Sequence, residues 1–299
     1  MMPTTPTPLA ALLAQAEADH ADDPAATVAA LLAWAPGLVA GADVDQALRL
    51  AEHVALAHLG DATPLAALLA ALPPALLEDA ASVPALQRLR WVLAMASGKA
   101  MADRPPDATR WRALQNLVLG LAAQGRWAAA AALLAGDEAA AQAHGACDAG
   151  VAYAASANNV AMELQTSGLP AGAPRHAQRD ALMLQAASIA RRAWGHAGTW
   201  RHVERAEYRL ALCHAVAGQG ALAVQHAGLC LAGCEAAGQA ADVVEHFFAH
   251  EALARAQHAA GDLVAASAAR VHMARLLPQI DEADGLRAWC ADTLAAVPA

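Results

Sequence analysis

Aromatic rings are scarce in this chain: two Phe, two Tyr and seven Trp make up 4% of its 299 residues. The β-branched and aromatic enrichment of strands is missing, while Ala, the best helix former, dominates a sequence that is 58% hydrophobic. An all-helical chain is therefore expected. Lysine is almost absent, with Lys99 the single example, and the formal charge is −9. That balance leaves no basic footprint for nucleic acid or an anionic membrane. Charged residues amount to only 16%, too few for a disordered chain. Five Cys, an odd number with no C-x-x-C spacing, fit a reducing compartment in which thiols stay free. No apolar run reaches the ~18 residues of a spanning helix, and the opening "MMPTTPTPLAALLAQAEADH" lacks the basic region of a secretory signal. Cytoplasmic placement is the expectation.

Catalytic signatures are missing as well. There is no G-x-S-x-G, no phosphate-cradling G-x-x-x-x-G-K-[ST] and no G-x-G-x-x-G after a strand. His250-Glu251 begins an H-E-x-x-H, but Ala254 stands where the second ligand is required. No enzyme activity and no cofactor are expected from these motifs.

What the chain does contain is a regular alternation of Ala/Leu-rich helical runs and breaks. The breaks are "DDP" (22–24), "APG" (35–37), "GDATP" (60–64), "LPP" (72–74), "ADRPPD" (102–107), "TSGLPAGAP" (166–174), "GQG" (218–220) and "GD" (261–262). Residues 1–7 read as a mobile tail and 8–105 as a divergent helical region, with short helices near 8–20, 24–34, 43–59, 64–71 and 84–101. The consecutive prolines of "ADRPPD" place the boundary before a domain over 106–299. A last helix near 283–297 is expected to cap it.

Within that domain, pairs of a large and a small residue recur at a fixed distance from a turn glycine. Leu210-Ala211 precede Gly218 and Ala223, Leu253-Ala254 precede Gly261 and Ala266, Val160-Ala161 precede Gly168, and Leu117-Val118 precede Gly125 and Ala130. This pattern resembles tetratricopeptide repeats over roughly residues 107 to 280, in lengthened and degenerate form. The resemblance implies a right-handed superhelical array of antiparallel helix hairpins, a TPR-like α-solenoid, with neighbouring hairpins burying a continuous seam. It also implies a concave binding groove and hence a non-enzymatic scaffold for a peptide or protein. In that family the groove is lined from the first helix of each repeat, ten, thirteen and six residues before the turn glycine. Carried over, those positions are Gln115, Arg112 and Leu119; Asn158, Ala155 and Met162; Tyr208, Arg205 and Leu212; and Glu251, Phe248 and Arg255. Arg, amide and phenol groups over a Phe or Met floor suit an acidic segment or a C-terminal carboxylate. The family's carboxylate clamp uses Lys and Asn, so Arg205 and Arg112 must substitute for Lys here.

"HAGLCLAGCEAAGQAADVVEHFFAH" (226–250) admits a second function. Helices over 220–237 and 242–260 turning near Ala240 set Cys234 level with His246 and Cys230 level with His250, the ligand types of a structural zinc site. The competing reading is packing, because Cys230 continues the small-residue stripe of Ala223 and Ala227. Two further clusters are unusually polar. Asn158 and Asn159 fall mid-helix, where amide side chains compete with the backbone, and "GTWRHVERAEYR" gathers Trp200, Arg201, Glu204, Arg205, Glu207 and Tyr208 at a helix start that Thr199 can cap. Arg191, Arg192 and Trp194 lie near a helix C-terminus, where cations complement the dipole.

Overall fold

The structure, a computed structural model, describes residues 8–99, 101–167 and 176–298. The expected tail (1–7) and the turn at Gly168 lie outside them. Every element among the described residues is helical, and none of these helices is long and apolar enough to cross a membrane. The chain forms two compact units, which divide between Leu134 and Ala135.

The N-terminal unit holds α1 (Pro8–Asp19), α2 (Pro24–Trp34), α3 (Ala42–His53), α4 (Thr63–Ala71), α5 (Pro74–Glu78), α6 (Val83–Ala96) and α7 (Asp107–Ala123). Prolines open α1, α2 and α5, positions where the missing N–H has no intrahelical partner in any case. α3 runs on into a π-helical turn, Val54–His58, closed by Leu59 N donating to Val54 O at 3.0 Å. Val54, Ala55 and Leu56 are essentially buried, and α2, α4 and α7 all pack on this turn. Gly120 allows α7 its approach, because a Cβ there would stand 3.2 Å from Leu56 O.

α7, the first helix of the first expected repeat, thus belongs to the N-terminal unit by its packing on α6 and the π turn. Below them lies a buried ion pair. Arg88 donates twice to Glu52, at 2.8 and 2.9 Å, and Asn116 Nδ2 donates to the same carboxylate at 2.8 Å. Charges in such a place require full pairing, which this geometry supplies.

α8 (Trp127–Gly136) runs across the division. The C-terminal unit continues with α9 (Glu138–His144), α10 (Asp148–Thr166), α11 (Ala177–Ala197), α12 (Trp200–Val216), α13 (Gly220–Ala237), α14 (Val243–Ala260), α15 (Leu263–Leu276) and α16 (Leu286–Ala296). From α10 to α15 each helix packs on the next, and α10 packs on α12 as α12 does on α14.

The glycines that carried the expected register close their helices alike. Gly125, Gly218 and Gly261 have φ of +72°, +65° and +83°, a conformation glycine enters without a Cβ penalty. At each turn the next residue donates back five positions at 2.9 Å: Arg126 to Leu121, Gln219 to His214, Asp262 to Gln257. This is the hydrogen-bond signature of a Schellman closure. Links of three residues (217–219) and two residues (261–262) then join α12 to α13 and α14 to α15, and the helices of each pair pack on one another.

The seam between these helices is built from small side chains. Ala211, Ala223, Ala227, Cys230, Cys234, Ala249, Ala252 and Ala256 are all fully buried. Gly220 marks one point of closest approach: a Cβ there would lie 2.5 Å from Ala260 Cα and 2.7 Å from Ala259 O. Backbone cannot yield as a side-chain tip does, so Gly220→Ala should destabilise the C-terminal unit by about 1–3 kcal/mol. Gly228, on the same helix, has nothing near its virtual Cβ, and Gly228→Ala should instead stabilise by about 0.5–1 kcal/mol through helix propensity. Urea titrations of the two variants, read as midpoint shifts of opposite sign, check this packing.

Candidate functional site

The expected groove positions separate into those already consumed by internal bonds and those still open. On α12 and α14, Tyr208 donates its hydroxyl hydrogen to Glu251 Oε2 at 2.8 Å, and Arg255 Nε donates to Glu251 Oε1 at 2.7 Å. Glu251 is buried, so both of its oxygens are satisfied inside the protein. Burial and the adjacent carboxylate push the Tyr208 phenol well above its ordinary range, which keeps it a neutral donor. The Tyr208 ring meets Phe248 edge-on at 6.0 Å, and Phe248 meets Trp289 of α16 at 4.9 Å. Trp289 is 57% exposed.

Arg205 differs from these. The carboxylate of Glu251 is already occupied. Arg205 instead lies 3.6 Å from Glu245 Oε1, with its side chain 68% exposed. Glu245 is already bonded by Arg201 Nε at 2.8 Å, and Arg201 also donates to Ala240 O at 2.8 Å.

On α10, Asn158 and Met162 are partly buried, and Asn158 Nδ2 stands 3.5 Å from Asn159 Oδ1. Arg209 on α12 donates to Gln165 on α10 and ties these two helices together. Leu212 is buried among the core residues and Ala155 is partly buried. Arg112, Gln115 and Leu119 stand on α7, in the N-terminal unit.

The Cys/His hairpin has the expected helices, but its side chains part company. Cys230, Cys234 and Ala249 form one buried cluster. Ala249 fills the face of α14 that meets α13, and its neighbour in sequence, His250, is turned about 100° around the helix. There it stacks on His272 of α15 at 4.6 Å. His246 Nδ1 lies 3.0 Å from Asp242 O of its own helix. The four side chains do not gather their ligand atoms within 4.8 Å of one another.

A carboxylate takes the place beside the thiols. Cys230 Sγ donates to Glu204 Oε1 at 2.8 Å, and Glu204 Oε2 is buried without a hydrogen-bond partner among the described residues. Burial and Glu204 push the Cys230 thiol far up and the Cys234 thiol up to about 12. Both are therefore neutral, which removes the thiolate that nucleophilic chemistry needs. Burial also raises the Glu204 carboxyl above its ordinary value.

The remaining polar residues are cross-ties. Arg191 and His226 both bond Glu207, His226 Nδ1 at 2.7 Å, and Arg192 grips Glu138 through two nitrogens at 2.6 and 3.0 Å. These arginines link helices rather than only capping a dipole. Thr199 caps α12 in concert with His202, whose Nδ1 accepts from Thr199 N at 3.1 Å. An open cleft of about 460 Å³ lies where α11, α12 and α13 meet, lined by Arg191, Trp200, Val203, Glu204, Glu207 and Leu229. Periodicity alone gave no sign of it, because its residues come from three helices and only the "GTWRHVERAEYR" cluster marks one wall.

No protein-family model, curated protein or solved structure matches the chain.

Glu204 supplies a test of this electrostatic picture. Below the ordinary glutamate value of 4.5 the carboxyl is protonated whether the chain is folded or unfolded, and its full stabilising contribution is present. As pH rises, the unfolded chain releases this proton first, and stability falls until the folded, raised value is passed. Glu204→Gln cannot ionise. Its stability relative to the parent should be near equal at pH 4 and should grow to about 1–3 kcal/mol in favour of the variant by pH 8. Denaturant melts across that range measure the difference; a constant offset would contradict a neutralised Glu204.

Proposed function

We propose that the C-terminal unit is a non-enzymatic scaffold that binds an extended protein or peptide segment across the first helices α10, α12 and α14, its hairpins following a TPR-like right-handed array. The observation that carries this reading is the state of Arg205. Its neighbour Glu245 is matched by Arg201 at 2.8 Å, so the guanidinium of Arg205, 3.6 Å away and mostly exposed, retains charge for an incoming carboxylate. Exposed arginine can take a carboxylate with two parallel hydrogen bonds, which a lone surface pair does not rival.

Next to it, Phe248 and Trp289 offer an apolar step for the residue preceding that carboxylate. The packing of α10 on α12 and of α12 on α14 sets Asn158 and Met162 on a helix adjoining Arg205, and an asparagine amide is suited to the donor and acceptor of an extended backbone. The preferred ligand is an acidic segment or a free C-terminus. Tyr208, Glu251 and Arg255 then serve the fold, holding α12 to α14 from below, rather than the ligand.

The test uses partners captured from the native host, reduced to labelled peptides and measured by fluorescence polarisation. Arg205→Ala should weaken binding about tenfold or more, amidation of the peptide's C-terminus should mimic that loss if the carboxylate is terminal, and Asn158→Ala should weaken it less. Tyr208→Phe should lower thermal stability while leaving affinity near the parent's. Unchanged affinity in both Arg205→Ala and Asn158→Ala, with native circular dichroism, would remove this face as the binding surface.

A further inference from the structure

We propose that His20, His53 and His58, in the N-terminal unit, bind one divalent transition-metal ion of the zinc type. The site stands apart from the scaffold reading and survives its failure. Among the described residues these three place one ligand atom each within 4.8 Å of the others. Their rings meet edge-on in T-shaped contacts, with centroids 5.3, 5.1 and 4.8 Å apart and interplanar angles of 68°, 79° and 87°. Because an imidazole lone pair lies in the ring plane, three rings arranged in this way can direct lone pairs toward one point.

The backbone explains why the residues converge. In a regular α-helix, side chains five residues apart point about 140° away from each other. Here the chain between His53 and His58 is the π-helical turn Val54–His58, in which i→i+5 bonding winds an additional residue into the turn and returns position 58 to the side of 53. His20 arrives from the end of α1, which packs on α3. His53 Nε2 and His58 Nε2 stand 3.2 Å apart. Two nitrogens held about 2.0–2.1 Å from a tetrahedral zinc are themselves about 3.3–3.4 Å apart.

Hydrogen bonds also assign the protons. Asn116 gives its amide N–H to Glu52, which Arg88 holds from the other side, so it is Asn116 Oδ1 that faces His53 Nδ1 at 3.0 Å. His53 must donate from Nδ1, which leaves Nε2 with a bare lone pair. His20 Nδ1 lies 2.8 Å from the carbonyl oxygen of Glu17, which can only accept, and its Nε2 is likewise bare. Imidazoles oriented through Nδ1–H by carbonyl or amide oxygens are the usual arrangement behind metal-bound histidines. Without an ion, His58 Nε2–H donates to His53 Nε2. With one, His58 takes the other tautomer, so that three neutral imidazoles ligate with no net proton change and water completes the tetrahedron. The all-nitrogen set disfavours magnesium and calcium, which require oxygen.

The experiment titrates the full chain, stripped with chelator and carrying Cys147→Ser, with zinc by calorimetry and with cobalt(II) by visible absorption. The substitution removes the one exposed thiol, which lies 3.7 Å from His144. One ion per chain is expected, with cobalt bands of a tetrahedral site and no thiolate-to-cobalt charge transfer. His20→Ala and His58→Ala, each outside the core, should both weaken zinc at least tenfold with unchanged circular dichroism, and His53→Ala should do the same. Absence of saturable zinc binding, a thiolate band, or unaltered affinity in His20→Ala and His58→Ala would overturn the site and leave a cluster of mutually hydrogen-bonded neutral rings.

Discussion

Close approach of alanine-faced helices is the constraint on which the C-terminal unit depends. An Ala methyl brings little apolar area of its own, so burial must come from continuity of the seam and from short distances between axes. The unit meets both conditions, with a fully buried Ala/Cys stripe between α13 and α14 and a glycine at position 220 where even one methyl would strike backbone. The same closeness fixes what a polar group can do there. The glutamates of α12 and α14 that enter the seam are buried, so each must find a donor within the protein or give up its charge.

The four buried glutamates of α12 and α14 follow that rule with different results. Glu207 is held by Arg191 and His226, Glu245 by Arg201, and Glu251 by Tyr208 and Arg255. Glu204 meets no arginine at hydrogen-bond distance and shares a thiol hydrogen with Cys230. Three cross-ties therefore link neighbouring helices, and burial raises the fourth carboxyl above its ordinary value. The ledger of partners also distinguishes Arg205 from the other arginines of these helices. Arg201 and Arg255 are committed at 2.8 and 2.7 Å, while Arg205 sits at the margin of a carboxylate already matched.

Most helices and their turns were legible in the sequence because their signals are local. Gly125, Gly218 and Gly261 announced left-handed closures, and proline or aspartate marked several starts. The side-chain site was less legible. Reading α13 against α14 as a flat ladder set His250 opposite Cys230, but a helix presents its faces by angle as well as by height, and Ala249 took the contact. "EHVALAHLG" held two histidines five apart, a spacing without ligand meaning on an α-helix. Only the π turn, formed where α7 presses Gly120 against Leu56, gives it one.

Histidine clusters occur in both units, and their geometry separates packing from ligation. His214 and His226 lie stacked at 5.1 Å with planes 4° apart, and His250 and His272 at 4.6 Å with planes 9° apart. In a parallel stack the in-plane lone pairs run alongside each other and never meet, so these rings act as flat, polarisable spacers between helices. Burial together with neighbouring imidazoles lowers the His250 basicity to about 4, consistent with a ring kept neutral for packing. The trio at His20, His53 and His58 has its planes nearly perpendicular, and its fixed tautomers trace back through Asn116 to the Arg88–Glu52 pair. A buried ion pair thus reaches the surface as a proton assignment: Glu52 orients an amide, the amide orients an imidazole, and the imidazole is left with its lone pair toward its neighbours. Stacked rings give a protein area and neutrality, whereas edge-on rings anchored from behind give it a set of donors that only a cation can satisfy together.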